Sequence, residues 1–212
     1  MDYIYKDKKE LIKSFIKKTD MVLDVGFWGQ GVTILDENWV HNLLKKNSQE
    51  VYGLDIDFDL EKLDGKEKYL KGSAENFVFP VKFDVIFAGD IIEHLSNPGL
   101  FLESCAKNLK DEGSLIITTP SCFNFFNLVE KITKKEPTVN KDHTCYFNYK
   151  TLKSLLDKNS WKMTEKVFLY ALNVSTKESY KKKFLNFIYF LLSKFTNKFI
   201  ETLVVVAKKE RV

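Results

Sequence analysis

Arginine is almost absent from this 212-residue chain, since Arg211 is the one arginine among 33 basic residues. Arginine is the preferred fork for phosphates and base edges, so its scarcity weighs against sequence-specific nucleic-acid recognition. A net charge of only +4 demands no polyanionic partner either. Cysteine is scarce as well. Cys105, Cys122 and Cys145 have no C-x-x-C spacing and are odd in number, which suggests free thiols in a reducing compartment. The histidines, cysteines and scattered acids offer no metal-ligand spacing along the sequence, so no metal is expected. Nowhere do apolar residues run for the ~18 positions of a membrane span. The stretch Met1 to Glu10 is charged and lacks the apolar centre of a signal peptide, and the expectation is a cytoplasmic protein. No internal repeat or low-complexity linker interrupts a composition of 44% hydrophobic and 29% charged residues. Those proportions suit one folded domain over 1–212 with one substantial core.

What is present is an alternation of helical and strand patterns. Leu11, Ile12, Phe15 and Ile16 recur at helical spacing, ahead of the apolar run Met21-Val22-Leu23. Trp39, Val40, Leu43 and Leu44 mark a second helix, and Val51 to Asp55 a second strand. Tyr69 to Gly72 reads as a short third strand. Phe83 to Gly89 is apolar on both faces and reads as a buried fourth strand. Pro98 opens a helix through Leu109, and Asp111-Glu112-Gly113 turns into a fifth strand from Ser114 to Thr118. This order is the mark of βαβ units and a parallel sheet. Beyond Pro120 come a short helix at 125–132, a helix at 150–159, a strand near 162–172 and a helical insertion at 173–200. A last strand follows at Glu201 to Lys208.

The most informative stretch is Met21-Val22-Leu23-Asp24-Val25-Gly26-Phe27-Trp28-Gly29-Gln30-Gly31. A strand runs into an acid and then a glycine-broken turn. The next strand also ends in an acid, Asp55. A glycine turn lets a ligand approach the backbone, and an acid ending the second strand can hold a pair of ribose hydroxyls. The extra acid, Asp24, discriminates among nucleoside ligands. It would repel a pyrophosphate and welcome the ammonium and sulfonium charges of S-adenosylmethionine. A nicotinamide dinucleotide enzyme would instead present G-x-G-x-x-G, which the chain lacks.

With these elements placed, the chain resembles the class I S-adenosylmethionine-dependent methyltransferases. It is most similar to their metal-independent small-molecule branch, which includes ubiquinone-biosynthesis and polysaccharide-cluster methyltransferases. Five stretches carry the resemblance: VLDVG at 22–26, VYGLDID at 51–57, GSAENF at 72–77, FDVIFAGDIIEHLSNPGLFL at 83–102 and LKDEGSLIITTPS at 109–121. It implies a doubly wound, Rossmann-like α/β sheet of seven strands with the last one antiparallel. It further implies that Asp24 and Gly26 line the methionine end of the cofactor, with Phe27 and Gly29 of the same turn also among the cofactor-binding residues. Asp55 would bind the ribose and Ile56 would pack on the adenine. Ala74 and Glu75 would lie near the adenine amine, with Asp90 and Ile91 bordering the cofactor and the substrate mouth. The family spaces its turn glycines G-x-G-x-G, whereas here Phe27 and Trp28 lengthen the turn. After the fourth strand, Gly89-Asp90-Ile91-Ile92 replaces the N-P-P-F or D-P-P-Y tetrapeptide of nucleic-acid amino-methyltransferases, which argues against base methylation.

The function implied is methyl transfer from S-adenosylmethionine, leaving S-adenosylhomocysteine, to an oxygen or nitrogen of a small-molecule, glycan- or lipid-linked acceptor. The alternative is a catalytically silent, methyltransferase-like scaffold. His94, just past the fourth strand, is the first candidate for a base and His143 the second. His41, between Val40 and Leu43, reads as structural. Phe184 to Phe199 is rich in phenylalanine and leucine, with lysines at both ends. One expectation for it is a helix buried in the core or in a homodimer; the other is a peripheral membrane contact serving a lipid-linked acceptor.

Overall fold

The computed structural model describes residues 4–29, 35–134, 136–137, 140–169, 180–196 and 199–210. Gly31 and the start of the insertion predicted at 173 lie outside them. The elements are β1 (Ile4–Tyr5), α1 (Lys8–Phe15), β2 (Met21–Val25), α2 (Val40–Asn47), β3 (Glu50–Asp55), β4 (Tyr69–Lys71) and β5 (Phe83–Gly89), followed by α3 (Pro98–Asn108) and β6 (Leu109–Pro120). The rest are α4 (Phe125–Thr133), α5 (Tyr149–Lys158), β7 (Trp161–Leu169), α6 (Tyr180–Phe195) and β8 (Thr202–Lys209).

These strands form one sheet of eight, in the order β1-β7-β8-β6-β5-β2-β3-β4. All pairings are parallel except those of β8, which runs antiparallel between β6 and β7. The doubly wound sheet with an inserted antiparallel last strand is therefore present, with eight strands where seven were expected. The additional strand is β1, two residues that pair with β7 through Ile4 and Tyr5. So short a segment has no periodicity to announce it. A second difference lies at Asp111-Glu112-Gly113, expected as a turn. Here the chain stays extended within β6, and the register on β5 shifts between Phe83 and Val85. A side chain at Gly113 would come 3.0 Å from the Phe83 carbonyl, so the irregularity needs the glycine.

Strand residues alternate between two cores. Leu23, Ile86, Leu115, Ile117 and Val205 face α3 and α5 through Phe101, Leu102, Leu152 and Leu156. Val22, Val85, Ile116 and Val204 face α1 and α2 through Leu11, Ile12, Leu43 and Leu44. Burial on both faces explains the unbroken apolar runs of the central strands. The sheet winds outward in both directions from the β5–β2 junction. That reversal opens a crevice at the carboxyl ends of the strands.

Candidate functional site

The crevice is built where β2, β3 and β5 end. Gly26 closes β2 by donating its N–H to the Leu54 carbonyl at 2.8 Å, and its φ of +75° takes the chain sharply away from the sheet. Trp28 N–H then donates to Asp55 Oδ2 at 2.8 Å, which folds the turn over the end of β3. At the end of β5, Asp90 has a φ of +54°, a left-handed backbone that aspartate tolerates better than most residues. It is held there from β6. Its N–H donates to the Thr118 carbonyl at 3.0 Å, and Thr118 Oγ1 donates to Asp90 Oδ1 at 3.0 Å. From α1, Lys8 reaches across to Asp90 Oδ2 at 2.8 Å.

Two adjoining cavities result. One, of ≈ 380 Å³, is walled by Val25, Leu54, Ile56, Gly72, Ser73, Ala74, Glu75, Leu95 and Ser96. The other, of ≈ 490 Å³, is walled by Lys8, Trp28, Gly29, Gly89, Asp90 and Asn140. Gly26, Asp55, Ile91 and His94 line both. Each volume suits part of a nucleoside-sized ligand. Ile56 is 74% exposed at the rim of the first cavity, an apolar face open to a planar ring. Glu75 Oε1 accepts the N–H of Asn97, the residue that caps α3 with its own side chain, so this carboxylate is already engaged in holding a helix entrance.

The structure thus gathers Gly26, Gly29, Asp55, Ile56, Ala74, Glu75, Asp90, Ile91 and His94 around the crevice. It places Asp24 and Phe27 behind it. Asp24 is 1% exposed and meets His41, whose Nδ1 lies 3.0 Å from Asp24 Oδ2. Phe27 turns inward among Trp39, Phe58, Tyr69 and the His41 ring, with Trp28 at the cluster's edge. Gly53 permits this, because a methyl there would stand 2.7 Å from Tyr69 and 2.9 Å from Phe27. The lengthened turn therefore stows its first ring beneath the sheet edge, away from the ligand space. Lys8 and Asn140 line the cavity without having been singled out in the sequence, where one lysine among many carries no signal.

Past β5, a 3-10 turn at Ile92–His94 carries Glu93 inward and His94 outward. Glu93 is 2% exposed; its Oε2 accepts from Thr119 Oγ1 at 2.8 Å, and its Oε1 is buried without a partner among the described residues. Burial, helped by the charge of Asp90, pushes the Glu93 carboxyl up to about 7. The Glu93 carbonyl accepts the Thr144 N–H at 2.8 Å, which pins the 140–147 loop to the turn. His143 thereby stands against His94, ring centroids 4.6 Å apart and nearly perpendicular. Burial and the neighbouring His94 lower the pKa of His143. Burial likewise raises that of Asp55. The sequence showed no metal-ligand spacing, yet folding brings Glu93, His94 and His143 together, with donor atoms all within 4.8 Å of one another. The contact between loop and turn, invisible to spacing, accounts for the difference.

Comparison with known proteins places this geometry. Over 59 residues the chain is 36% identical to the mitochondrial ubiquinone biosynthesis O-methyltransferase of Schizosaccharomyces pombe; the match covers 28% of this chain and 22% of that protein. A SAM-dependent methyltransferase from Archaeoglobus fulgidus has a similar structure, with a TM-score of 0.60 and 20% identity over 95% of this chain and 94% of that one. A Burkholderia thailandensis 1,6-didemethyltoxoflavin-N1-methyltransferase, solved with its namesake ligand and S-adenosylhomocysteine, is similar at a TM-score of 0.56 and 12% identity, covering 96% and 77%. These structures share the fold. The sequence profile described as a methyltransferase domain matches residues 3–166. With the crevice at the sheet's switch point and most of the chain within that profile, the protein belongs to the methyltransferase domain family.

Proposed function

We propose that the chain transfers a methyl group from S-adenosylmethionine to an oxygen (or a nitrogen) of a small-molecule, glycan- or lipid-linked acceptor. The observation that carries this reading is the meeting of two unlike cavities at Gly26, Asp55, Ile91 and His94. The more apolar one, between Ile56 and Ala74, suits an adenine. Asp55 at the junction suits the ribose hydroxyls. The other cavity, with Asp90 and His94, suits the methionine end and the incoming acceptor. The acceptor oxygen's lone pair forms the new O–C bond as the S–C bond breaks, and the breaking pair stays on sulfur. The acceptor's proton passes to the His94 imidazole, with His143 behind it. The sulfonium is already activated, so the protein aligns the reactants and excludes water.

Phenylalanine exposure on α6 supports a peripheral contact. Phe187 is 57% and Phe190 41% exposed, with Phe184, Leu191 and Phe195 beside them. Tyr189 is fully buried and stacks on Phe125 of α4 at 5.7 Å, which seats α6 next to the carboxyl end of β6. An acceptor on an anionic lipid surface contacted by these exposed rings would be presented near that end of the sheet. Among the described residues no helix is long and apolar enough to cross a membrane.

Calorimetric titration with S-adenosylmethionine and with S-adenosylhomocysteine tests the reading. Saturable binding of both is expected. An absence of heat at millimolar cofactor would leave the scaffold alternative standing.

A further inference from the structure

We infer that Glu93, His94 and His143 form a binding site for a first-row divalent cation, at the acceptor end of the crevice. Three observations converge on it. The donor atoms of the three side chains lie within 4.8 Å of one another. Among the described residues no hydrogen-bond donor reaches one oxygen of Glu93, a residue only 2% exposed. The segment bearing His143 is tied to the turn bearing Glu93 and His94 by the Thr144 N–H at 2.8 Å and the Thr144 hydroxyl at 3.1 Å, both on the Glu93 carbonyl.

A buried carboxylate oxygen without a partner is costly, and native structures rarely keep one without cause. A cation removes that cost directly. Thr119 takes the other oxygen, so the carboxylate is oriented as a one-oxygen ligand with a hydrogen-bonded second oxygen. Such outer partners commonly fix the ligands of a metal. Two imidazoles and one carboxylate suit zinc, manganese, cobalt or iron(II), and discriminate against calcium and magnesium, which prefer oxygen alone. A tetrahedral ion with bonds of about 2.0–2.1 Å holds its donors roughly 3.3 Å apart. To reach that spacing the two partly exposed imidazoles would have to rotate inward on binding.

Three protein ligands leave at least one coordination position open, as in sites that bind a substrate oxygen. His94 lines both cavities, so that position faces the place assigned to the acceptor. The class of acceptor favoured is one that brings an ionisable hydroxyl beside a second oxygen, able to hold the ion. Asp90, whose charge acts on Glu93 and His143, adds negative potential, while Lys8 is occupied in its ion pair with Asp90. The ion's role rests on the methyl-transfer reading; its binding does not. A histidine that ligates the ion has no free lone pair, so the cation would then acidify the acceptor hydroxyl, whose proton would pass to solvent water in place of the imidazole.

The test is titration of chelator-treated full-length protein with Co²⁺, followed by visible absorption, and with Zn²⁺ and Mn²⁺ by calorimetry. One equivalent of Co²⁺ is expected, with absorption bands reporting nitrogen and oxygen ligation. His94→Ala, His143→Ala and Glu93→Gln are each expected to weaken binding at least tenfold, with circular dichroism confirming the fold. Glu93→Gln keeps the side-chain volume should an alanine variant be unstable. No binding at millimolar metal overturns the site, as does undiminished binding in the double variant His94→Ala/His143→Ala. S-adenosylmethionine titration in parallel separates the two ideas: cofactor binding without metal binding sinks only the cation site, and the reverse sinks only the methyl-transfer reading.

Discussion

His41 Nδ1 lies 3.0 Å from Asp24 Oδ2, and both side chains are sealed beneath the glycine turn. His41 Nε2 is 3.1 Å from the Tyr69 hydroxyl. A single tautomer satisfies the chain: Tyr69 donates to Nε2, and Nδ1–H donates to the carboxylate. Asp24 therefore supports the turn from behind, and any electrostatic pull on a cofactor reaches the crevice through the backbone of Val25 and Gly26.

Removing one member strands the other in an apolar enclosure. Asp24→Ala and His41→Ala are each expected to cost about 3 kcal/mol of stability. Chemical denaturation of the two single variants and the double variant measures this. A double variant no worse than either single one shows that the pair acts as a unit.

Asp55→Ala is expected to weaken S-adenosylmethionine binding roughly tenfold to a hundredfold, the worth of about 1.5–3 kcal/mol for a charged hydrogen bond. The variant should remain folded, although the Trp28 N–H loses its acceptor. An unchanged calorimetric affinity in a folded variant removes Asp55 from the ribose role.

The same residue sets a pH dependence. Burial raises the Asp55 pKa in the folded chain, and a ribose hydroxyl donates best to the ionised carboxylate. Affinity is therefore full above that raised value and falls as pH drops through it, earlier than an ordinary aspartate would dictate. Calorimetry at a series of pH values reads the midpoint. In Asp55→Asn this limb of the profile should flatten.

With an acceptor in hand, His94→Ala should lower turnover by about a hundredfold while cofactor affinity stays within a few-fold. The loss is expected from an imidazole that takes the proton and equally from one that holds a cation. Chelator treatment of the unmodified protein tells them apart, since an imidazole base survives it. Normal turnover in both His94→Ala and His143→Ala would falsify histidine involvement altogether.

For α6, co-sedimentation with vesicles of anionic phospholipid should pellet the protein at low salt. Phe187→Ser/Phe190→Ser should leave it in the supernatant. A protein that ignores vesicles but sediments as a dimer, reverting to monomer in the same double variant, assigns these rings to a second copy instead.

Much of the fold was legible because the central strands are buried on both faces. Residues 83–89 could hardly be anything else, and β5 has those bounds. Asp55 and Ile91 were legible because strand ends at a switch point are fixed by strand order alone. What escaped the sequence depends on contacts between segments distant along the chain. The inward turn of Phe27 needs the missing side chain of Gly53 on the neighbouring strand. The Glu93–His94–His143 cluster needs a loop hydrogen bond that no period or spacing encodes. Lys8 reaches the crevice because α1 packs on α2, a tertiary fact that its lysine-rich neighbourhood conceals.

The Lys8–Asp90 bond has a kinetic meaning. Both side chains are about a third exposed, and such a contact is worth only ~0.2–1 kcal/mol. It crosses the wall of the larger cavity as a latch that thermal motion lifts. Side chains of this kind reorient in nanoseconds or faster, far quicker than the ~10 s⁻¹ at which a median enzyme turns over. Lifting of this one contact therefore does not set the pace of a cycle of that rate.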